Sequence, residues 1–417
     1  MQKRRDFLIF IVTVIILFFL YQIIMFHYLN LHNQQLDTAD LIDDTTVSAQ
    51  ELYDKSWNTV KKSYIDSTYN SQNWKRWKNR YKGKLKTDED ARIAIETMLA
   101  SLDDSYTRFL SKTDYAEQYR SIDSHIFGIG VHIMSQSGNP VICGVIEGTP
   151  AYKADLRIND IILTVDGKNM GGLDISKVAE SVRGAEGTVV NIKIKRGNNT
   201  LTKRIVRRKI EIKSVESSVK KDNIGYIKIK SFIGTNTASD FIAALKKTKD
   251  TKGLIIDLRG NTGGLLTNAV VVANMFINDG KIVSIVSKNG NKKDITAQMN
   301  LPVITKPTIV LVDEASASAS EILSGALKDN HKAILVGEKT FGKGLIQQII
   351  PLPNGTGMNI TIAKYLTPNG NDINKKGIEP DYKVKYTLKD FKNNNDTQLK
   401  KAEALMNNMT AANYQKK

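Results

Sequence analysis

A serine at the start of a helix and a lysine in a glycine-flanked turn can together make a nucleophile and its base. The chain holds such a pair. Ser318 lies in Asp313-Glu314-Ala315-Ser316-Ala317-Ser318-Ala319-Ser320-Glu321, and Lys343 follows 25 positions later in Gly337-Glu338-Lys339-Thr340-Phe341-Gly342-Lys343-Gly344. A serine hydroxyl needs a base before it can attack a carbonyl. Histidine is the usual base, but the five histidines do not supply one. His27 and His32 lie in or beside an apolar N-terminal run, His125 and His132 in a strand-rich middle segment, and His331 in Asp329-Asn330-His331-Lys332, which reads as a surface loop. None has a Ser-His-Asp setting. Lysine can serve if it is neutral. Lowering its pKa from about 10.4 to about 7–8 costs roughly 3–4 kcal/mol, and apolar burial supplies shifts of that size. Phe341, Leu345 and Ile346 flank Lys343, and Gln347 lies four residues on, placed to hold the amine without adding charge.

Plainer readings compete. Ser318-x-x-Glu321 matches the capping box that opens many helices. The residues alone do not distinguish Ser316, Ser318 and Ser320 as nucleophile. They do mark a helix start, whose N–H groups can stabilise an anion. The lysine segment is one residue short of a P-loop, which keeps a nucleotide hydrolase as an alternative. Gly344 lacks the hydroxyl that binds Mg²⁺, however, and an apparent strand follows where a P-loop needs a helix.

The surrounding pattern is an α/β core. Strands are expected at Gly225–Ile229, Leu254–Leu258, Thr308–Val312, Ala333–Val336, Leu345–Pro351 and Met358–Tyr365. Helices are expected at Ala238–Lys247, after Gly264 through Met275, and at Glu321–Leu327. Both turns with candidate chemistry follow strands, where open α/β sheets place their sites. A C-terminal helix is expected around Gln398–Asn407, with Leu399, Ala402 and Leu405 at helical spacing. Nearer the N-terminus, Tyr53, Trp57, Val60 and Tyr64 recur at helical spacing, as do Ala91, Ile95, Met98 and Leu102 after a start signal at Thr87–Asp90. Trp74 and Trp77 read as core packing, with a binding platform as the rival.

With 417 residues, 41% hydrophobic and 25% charged, the chain is long enough for two or three globular domains. Its net charge of +17 favours acidic partners without choosing among them. The basic stretch Lys193, Lys195, Arg196, Lys203, Arg204, Arg207, Arg208, Lys209 and Lys213 reads as a solvated strand face or a contact for anionic membrane. It lacks interleaved aromatics to stack bases, which argues against nucleic acid. Cys143, the single cysteine, sits in Val141-Ile142-Cys143-Gly144-Val145 and reads as a core filler. No cofactor or metal is expected. At the N-terminus, Lys3, Arg4 and Arg5 precede Phe7–Leu29, which is uncharged and long enough to span a bilayer with its N-terminal end in the cytoplasm. A small-x-small cleavage site is not evident, so an uncleaved single-pass anchor is expected, with the remainder extracytoplasmic.

Residues 124–211 resemble a PDZ domain of the bacterial, permuted kind. The resemblance rests on Gly148-Thr149-Pro150-Ala151, on Ile158–Val165 with Asp166-Gly167, and on Arg183-Gly184-Ala185-Glu186-Gly187-Thr188. Two family glycines are replaced by Asp155 and Asn159, types that tolerate positive φ. Such a domain would capture a peptide carboxylate on the N–H groups of Phe127, Gly128, Ile129 and Gly130. A plain hairpin turn is the bland reading there. Arg183, at the end of the binding helix, could relay peptide occupancy, or be a surface arginine.

The runs Ser316–Asn330 and Val336–Gln347, with Asp257-Leu258-Arg259, Gly263-Gly264 and Tyr365–Asp381, resemble the carboxyl-terminal processing proteases, also called tail-specific or S41 peptidases. The likeness covers nearly everything after the anchor. It implies a crotonase-like α/β protease core with an inserted PDZ domain. It also implies Ser318 as nucleophile, Lys343 as general base, Gln347 as orienting residue, and an oxyanion hole from the N–H groups of Gly264 and Ala319. Thr262 and Asn371-Asp372 depart from the commoner pattern. The expected organisation is a basic tip and anchor at 1–30, a linker at 31–46, a helical domain at 47–123, PDZ at 124–211, the protease core at 212–385 and a tail helix at 386–417. The expected partners are protein substrates with accessible C-terminal tails, the membrane, and a second copy of the chain in a homodimer. A membrane-anchored PDZ scaffold with an inactive core is the non-enzyme alternative, in a bacterial cell membrane either way.

Overall fold

Apolar residues at helical spacing build the first of two units. The computed structural model describes residues 45–122, 125–136, 138–146, 148–211, 213–298 and 304–414. The expected anchor Phe7–Leu29 lies outside them, and among the described residues no helix is long and apolar enough to cross a membrane. Among the described residues, the first unit comprises 45–61, Asn73–Tyr115 and Ile349–Asn359. Helix Ala49–Ser63 buries Tyr53, Trp57 and Val60. Trp74 and Trp77 are each 4% exposed. Trp57 Nε1 donates to the Trp74 carbonyl at 3.1 Å and the Tyr53 hydroxyl to the Trp77 carbonyl at 2.7 Å. Trp74 and Trp77 are therefore core, their carbonyls receiving the polar handles of Trp57 and Tyr53. Thr87 opens helix Asp88–Ala100 through a capping box with Asp90, and Ala91, Ile95 and Met98 line its buried face.

The second unit comprises Lys62–Gln72, Ala116–Gln348 and Ile360–Lys417. Its strand-rich part is an antiparallel sheet in the order Val131–Gln136, Asn139–Val145, Ile161–Val165, Val189–Arg196, Asn199–Val206. Strand Val189–Arg196 alternates: Val190, Ile192 and Ile194 are buried while Asn191, Lys193 and Lys195 face solvent. Most of the basic stretch is thus a solvated face, as period-two alternation requires. Arg207 is the exception. It is buried and donates to the carbonyls of Ser181, Val182 and Val189, tying helix Ile175–Val182 to the sheet. Asp155 and Asn159 adopt φ of 56° and 71°, so the turns survive the loss of glycine. Cys143 corrects an expectation: it is exposed, the extra residue of a β-bulge, since His132 pairs with Gly144 and Ile133 with Ile142.

The remaining core alternates strands and helices. It contains β1 (Val215–Lys220), β2 (Ile224–Ile229), α1 (Thr237–Lys247), β3 (Gly253–Asp257), α2 (Leu266–Asn274), β4 (Thr308–Val312), α3 (Ala319–Asp329), β5 (Ile334–Gly337), β6 (Leu345–Leu352), β7 (Thr356–Leu366), β8 (Tyr382–Lys383) and α4 (Thr397–Tyr414), with the end of β6 and the start of β7, inside Ile349–Asn359, belonging to the first unit. One sheet runs β1-β2-β3-β4-β5-β8. It is parallel except for β1, which pairs antiparallel with β2. Every residue of β3 and β4 is buried, as expected for strands covered on both faces. On one face Phe241, Ala269, Val272, Phe276, Leu323 and Leu327 pack against the sheet; on the other, Ala402 and Met406 of α4 do.

Gly337 ends β5 at φ 132°, and a Cβ there would lie 2.0 Å from the Val312 carbonyl oxygen. Backbone cannot yield as a flexible side chain can. Gly337→Ala should destabilise the protein by about 2 kcal/mol or more, seen as a fall in melting temperature.

Candidate active site

Three loops leave the C-terminal ends of β3, β4 and β5. The first carries Arg259–Gly264, the second Asp313–Ser318, the third Glu338–Gly344. Asp313 joins the first two: both its carboxylate oxygens lie 3.0 Å from the Gly260 nitrogen, and Oδ1 also accepts from Ala315 at 3.1 Å. Asn261 joins them again, donating to the Ile229 carbonyl at 2.8 Å and accepting from the Ala317 N–H at 3.0 Å through its own carbonyl.

Burial separates the three serines. Ser316 and Ser320 are fully buried, their hydroxyls donating to the Leu258 and Asn261 carbonyls, each at 2.9 Å. Ser318 is the half-buried one. It has φ 54° and ψ −113°, a conformation that costs a residue with a Cβ about 1–3 kcal/mol. Glu321 holds it there. The Ser318 N–H donates to Glu321 Oε2 at 2.9 Å, and the Glu321 N–H returns to the Ser318 carbonyl at 2.8 Å.

Glu321 reaches further than a helix cap. It is fully buried and accepts from Lys343 N–H on Oε2 at 2.9 Å, and from Gly342 N–H and the Thr340 hydroxyl on Oε1 at 2.8 and 2.6 Å. One oxygen therefore takes the main-chain N–H of both Ser318 and Lys343, so the two nitrogens cannot be further apart than those bonds laid end to end. Tyr365 of β7 repeats the link: its hydroxyl lies 3.1 Å from the Ser318 carbonyl oxygen and 2.6 Å from that of Lys343. Gly342, at φ 90°, allows the lysine turn to press against Lys376 and Gly377, whose nitrogens would lie within 2.9 Å of a Cβ.

Lys343 is half-buried, and Phe341 is 58% exposed. Leu345 and Ile346 are both half-buried, and Ile346 packs against the main core cluster, so the exposed Phe341 does not enclose the amine as expected. Gln347 lies on β6, and its amide donates to Thr361 Oγ1 on β7 at 3.3 Å. The P-loop alternative fails on the element that follows Lys343, which is strand β6.

The glycine pair packs against the helix start. A Cβ on Gly263 would meet Ser318 Cβ at 2.8 Å and the Ala319 nitrogen at 2.9 Å. A Cβ on Gly264 would lie 2.2 Å from main-chain atoms of Phe232 and Ile233. The Gly263 N–H is engaged by Asn261 Oδ1 at 2.9 Å. The N–H groups of Gly264 and Ala319 donate to no acceptor among the described residues. Two unengaged donors beside a strained serine can stabilise a developing oxyanion.

The other expected residues lie in the PDZ-like part. Phe127 and Gly128 end a strand paired with Arg208–Glu211. The Ile129 carbonyl accepts from Ala151 at 2.8 Å and that of Gly130 from Ile146 at 3.0 Å. The Ile129 and Gly130 N–H groups donate to no acceptor among the described residues. Arg183 is exposed just past helix Ile175–Val182.

Residues 223–384 match peptidase family S41 and residues 141–196 match a PDZ domain. The chain is 36% identical to a carboxyl-terminal-processing protease of Synechocystis, over 82% of each protein. It is 34% identical to a chloroplastic C-terminal processing peptidase of Tetradesmus obliquus, over 83% of this chain and 79% of that one. A solved photosystem II D1 C-terminal processing protease superposes with a TM-score of 0.56 at 33% identity, covering 82% of this chain and 94% of that one. The fold and the relatives are those of serine-type peptidases. The chain belongs to peptidase family S41, among the carboxyl-terminal-processing proteases, and carries their PDZ domain.

Sequence reasoning gave Glu321 to the helix cap and Tyr365 to a strand. The capping signal was correct, but nothing local announces the second set of partners.

Glu321→Gln keeps the volume and replaces one acceptor with an NH₂ that must face a buried donor. It should lower stability by about 2–4 kcal/mol, measured by denaturant titration.

Proposed function

We propose that the chain is a membrane-anchored endopeptidase with a Ser–Lys dyad, facing away from the cytoplasm, that cleaves proteins near C-terminal tails held by its PDZ domain. The observation that carries this reading is the shared Glu321 carboxylate, which brings Ser318 and Lys343 together. Neutral Lys343 takes the Ser318 Oγ proton as that oxygen attacks the scissile carbonyl carbon. The oxyanion accepts from the Gly264 and Ala319 N–H groups. The lysine ammonium then gives its proton to the departing amine, leaving an acyl-enzyme. Water, deprotonated by the same lysine, resolves it. Gln347 orients the amine, without a charge that would keep it protonated. A polypeptide laid against Phe341 completes the dry surroundings that Lys343 needs.

The tail's carboxylate would sit on the Ile129–Gly130 turn, its chain added as a strand beside helix Ile175–Val182. The location rests on Lys3, Arg4 and Arg5 before the uncharged run Phe7–Leu29. In bacteria this places the catalytic domain on the periplasmic or cell-wall side. Terminal proteomics on membranes with and without Ser318→Ala reads substrates and cleavage sites together.

Ser318→Ala and Lys343→Ala should each lower proteolysis by about a thousandfold or more with near-native melting temperatures. Wild-type cleavage by either purified variant sinks the dyad.

A lysine base is active when deprotonated, so kcat should rise with pH over roughly pH 5 to 9. A flat profile there excludes Lys343 as the base.

A further inference from the structure

The start of α4 grips the loop that carries the glycine pair. Arg259 sits at the base of that loop with its side chain 13% exposed. It pairs with Asp257 through Nε at 3.0 Å and Nη2 at 2.7 Å. It also pairs with Asp396, 137 residues away, with Nη1 on Oδ1 and Nη2 on Oδ2, both at 2.8 Å. Fork-to-fork pairing fixes the guanidinium in its plane. Gln398, fully buried, accepts from Arg259 Nη1 at 3.1 Å and donates to Glu338 Oε2 at 3.4 Å and to the Val384 carbonyl at 2.8 Å. Two residues at the tail-helix start, Asp396 and Gln398, therefore span the glycine-pair loop and the lysine loop. The path to the site is short. Two residues beyond Arg259, Asn261 holds the Gly263 N–H on Oδ1 and the Ala317 N–H on its carbonyl. Burial opposes ionisation of Asp396, yet its hydrogen bonds to Arg259 hold its carboxyl below the ordinary range.

We infer that Asp396 is a positioning residue for proteolysis: through Arg259 it sets the loop that aims the Gly264 N–H at the oxyanion, so the tail helix is part of the catalytic apparatus. This rests on the Ser318–Lys343 reading.

Asp396 also caps α4, accepting from the Leu399 N–H at 2.9 Å. Asn caps as well as Asp, so Asp396→Asn removes the charge pair and keeps the helix start. The control is Asn407→Ala, at a distant point of α4 where Asn407 accepts from Lys252 Nζ at 3.0 Å and donates to Asp222 at 2.9 Å. In the full chain, kcat and KM on a peptide substrate are read beside the rate of Ser318 labelling by a fluorophosphonate probe. Asp396→Asn should lower kcat and labelling about tenfold with KM nearly unchanged, Asp396→Glu should recover part of the loss, and Asn407→Ala should match wild type. Wild-type rates in Asp396→Asn, or an equal loss in Asn407→Ala, overturn the inference. If Asp396→Asn melts early, the Asp396→Glu recovery decides, and no recovery overturns it. Labelling that persists in Ser318→Ala sinks the dyad and the inference together; labelling lost there but unchanged in Asp396→Asn sinks the inference alone.

Discussion

Glu321 has four donors around one carboxylate, and three of them are the main-chain N–H groups of Ser318, Gly342 and Lys343. Two oxygens offer about four lone-pair sites, so the group is used to its capacity. Net hydrogen bonds to charged partners contribute roughly 1.5–3 kcal/mol each, enough to hold Ser318 at positive φ, where about 1–3 kcal/mol of strain is stored. Side chains alone could not do this. A serine and a lysine tethered by main chain keep their spacing whatever their rotamers do. Losing this one group would free both loops at once.

The sheet supplies the other half of the geometry. β3, β4 and β5 run parallel in register, so the loops after Asp257, Val312 and Gly337 emerge side by side. Their closeness excludes side chains at the crossings. Gly263 lies against the start of α3 and Gly264 against Phe232–Ile233. The glycines are there because main chain passes main chain, and the same contact turns the Gly264 N–H away from Phe232, which bonds the Gly263 carbonyl and the Leu265 N–H, one residue to either side.

Local periodicity made the α/β alternation legible, with most ends within a residue or two, since long buried strands and amphipathic helices carry their own signal. Ser318, Lys343 and the glycine pair were legible as candidates, mainly through their spacing. The residues alone left Ser316, Ser318 and Ser320 open, and only the family resemblance chose Ser318, because what occupies the neighbours is the carbonyls of Leu258 and Asn261 that engage their hydroxyls. Cys143 misled for a related reason. An apolar run looks the same whichever residue a β-bulge leaves unpaired. The tail helix was visible in Leu399, Ala402 and Leu405, but its seat was not. A Cβ on Gly253 would fall 2.1 Å from Met406 Sδ, a match between residues that only the folded chain brings together.

The exposure of Phe341 bears on why a lysine could work in an open site. Each pKa unit is about 1.36 kcal/mol, so a neutral lysine near pH 7 needs several kcal/mol of desolvation. Lys343 is only half-buried and Phe341 beside it is exposed, so the resting site is partly open to water. On the proposed mechanism, the missing cover comes from the substrate lying over Phe341, so binding and activation of the base become one event. Interactions made only when the reacting complex is assembled raise kcat and not merely affinity. On that mechanism, a lysine base left partly open would be a device for selectivity. It would keep the nucleophile quiet until a polypeptide excludes the water, which a permanently enclosed lysine could not do.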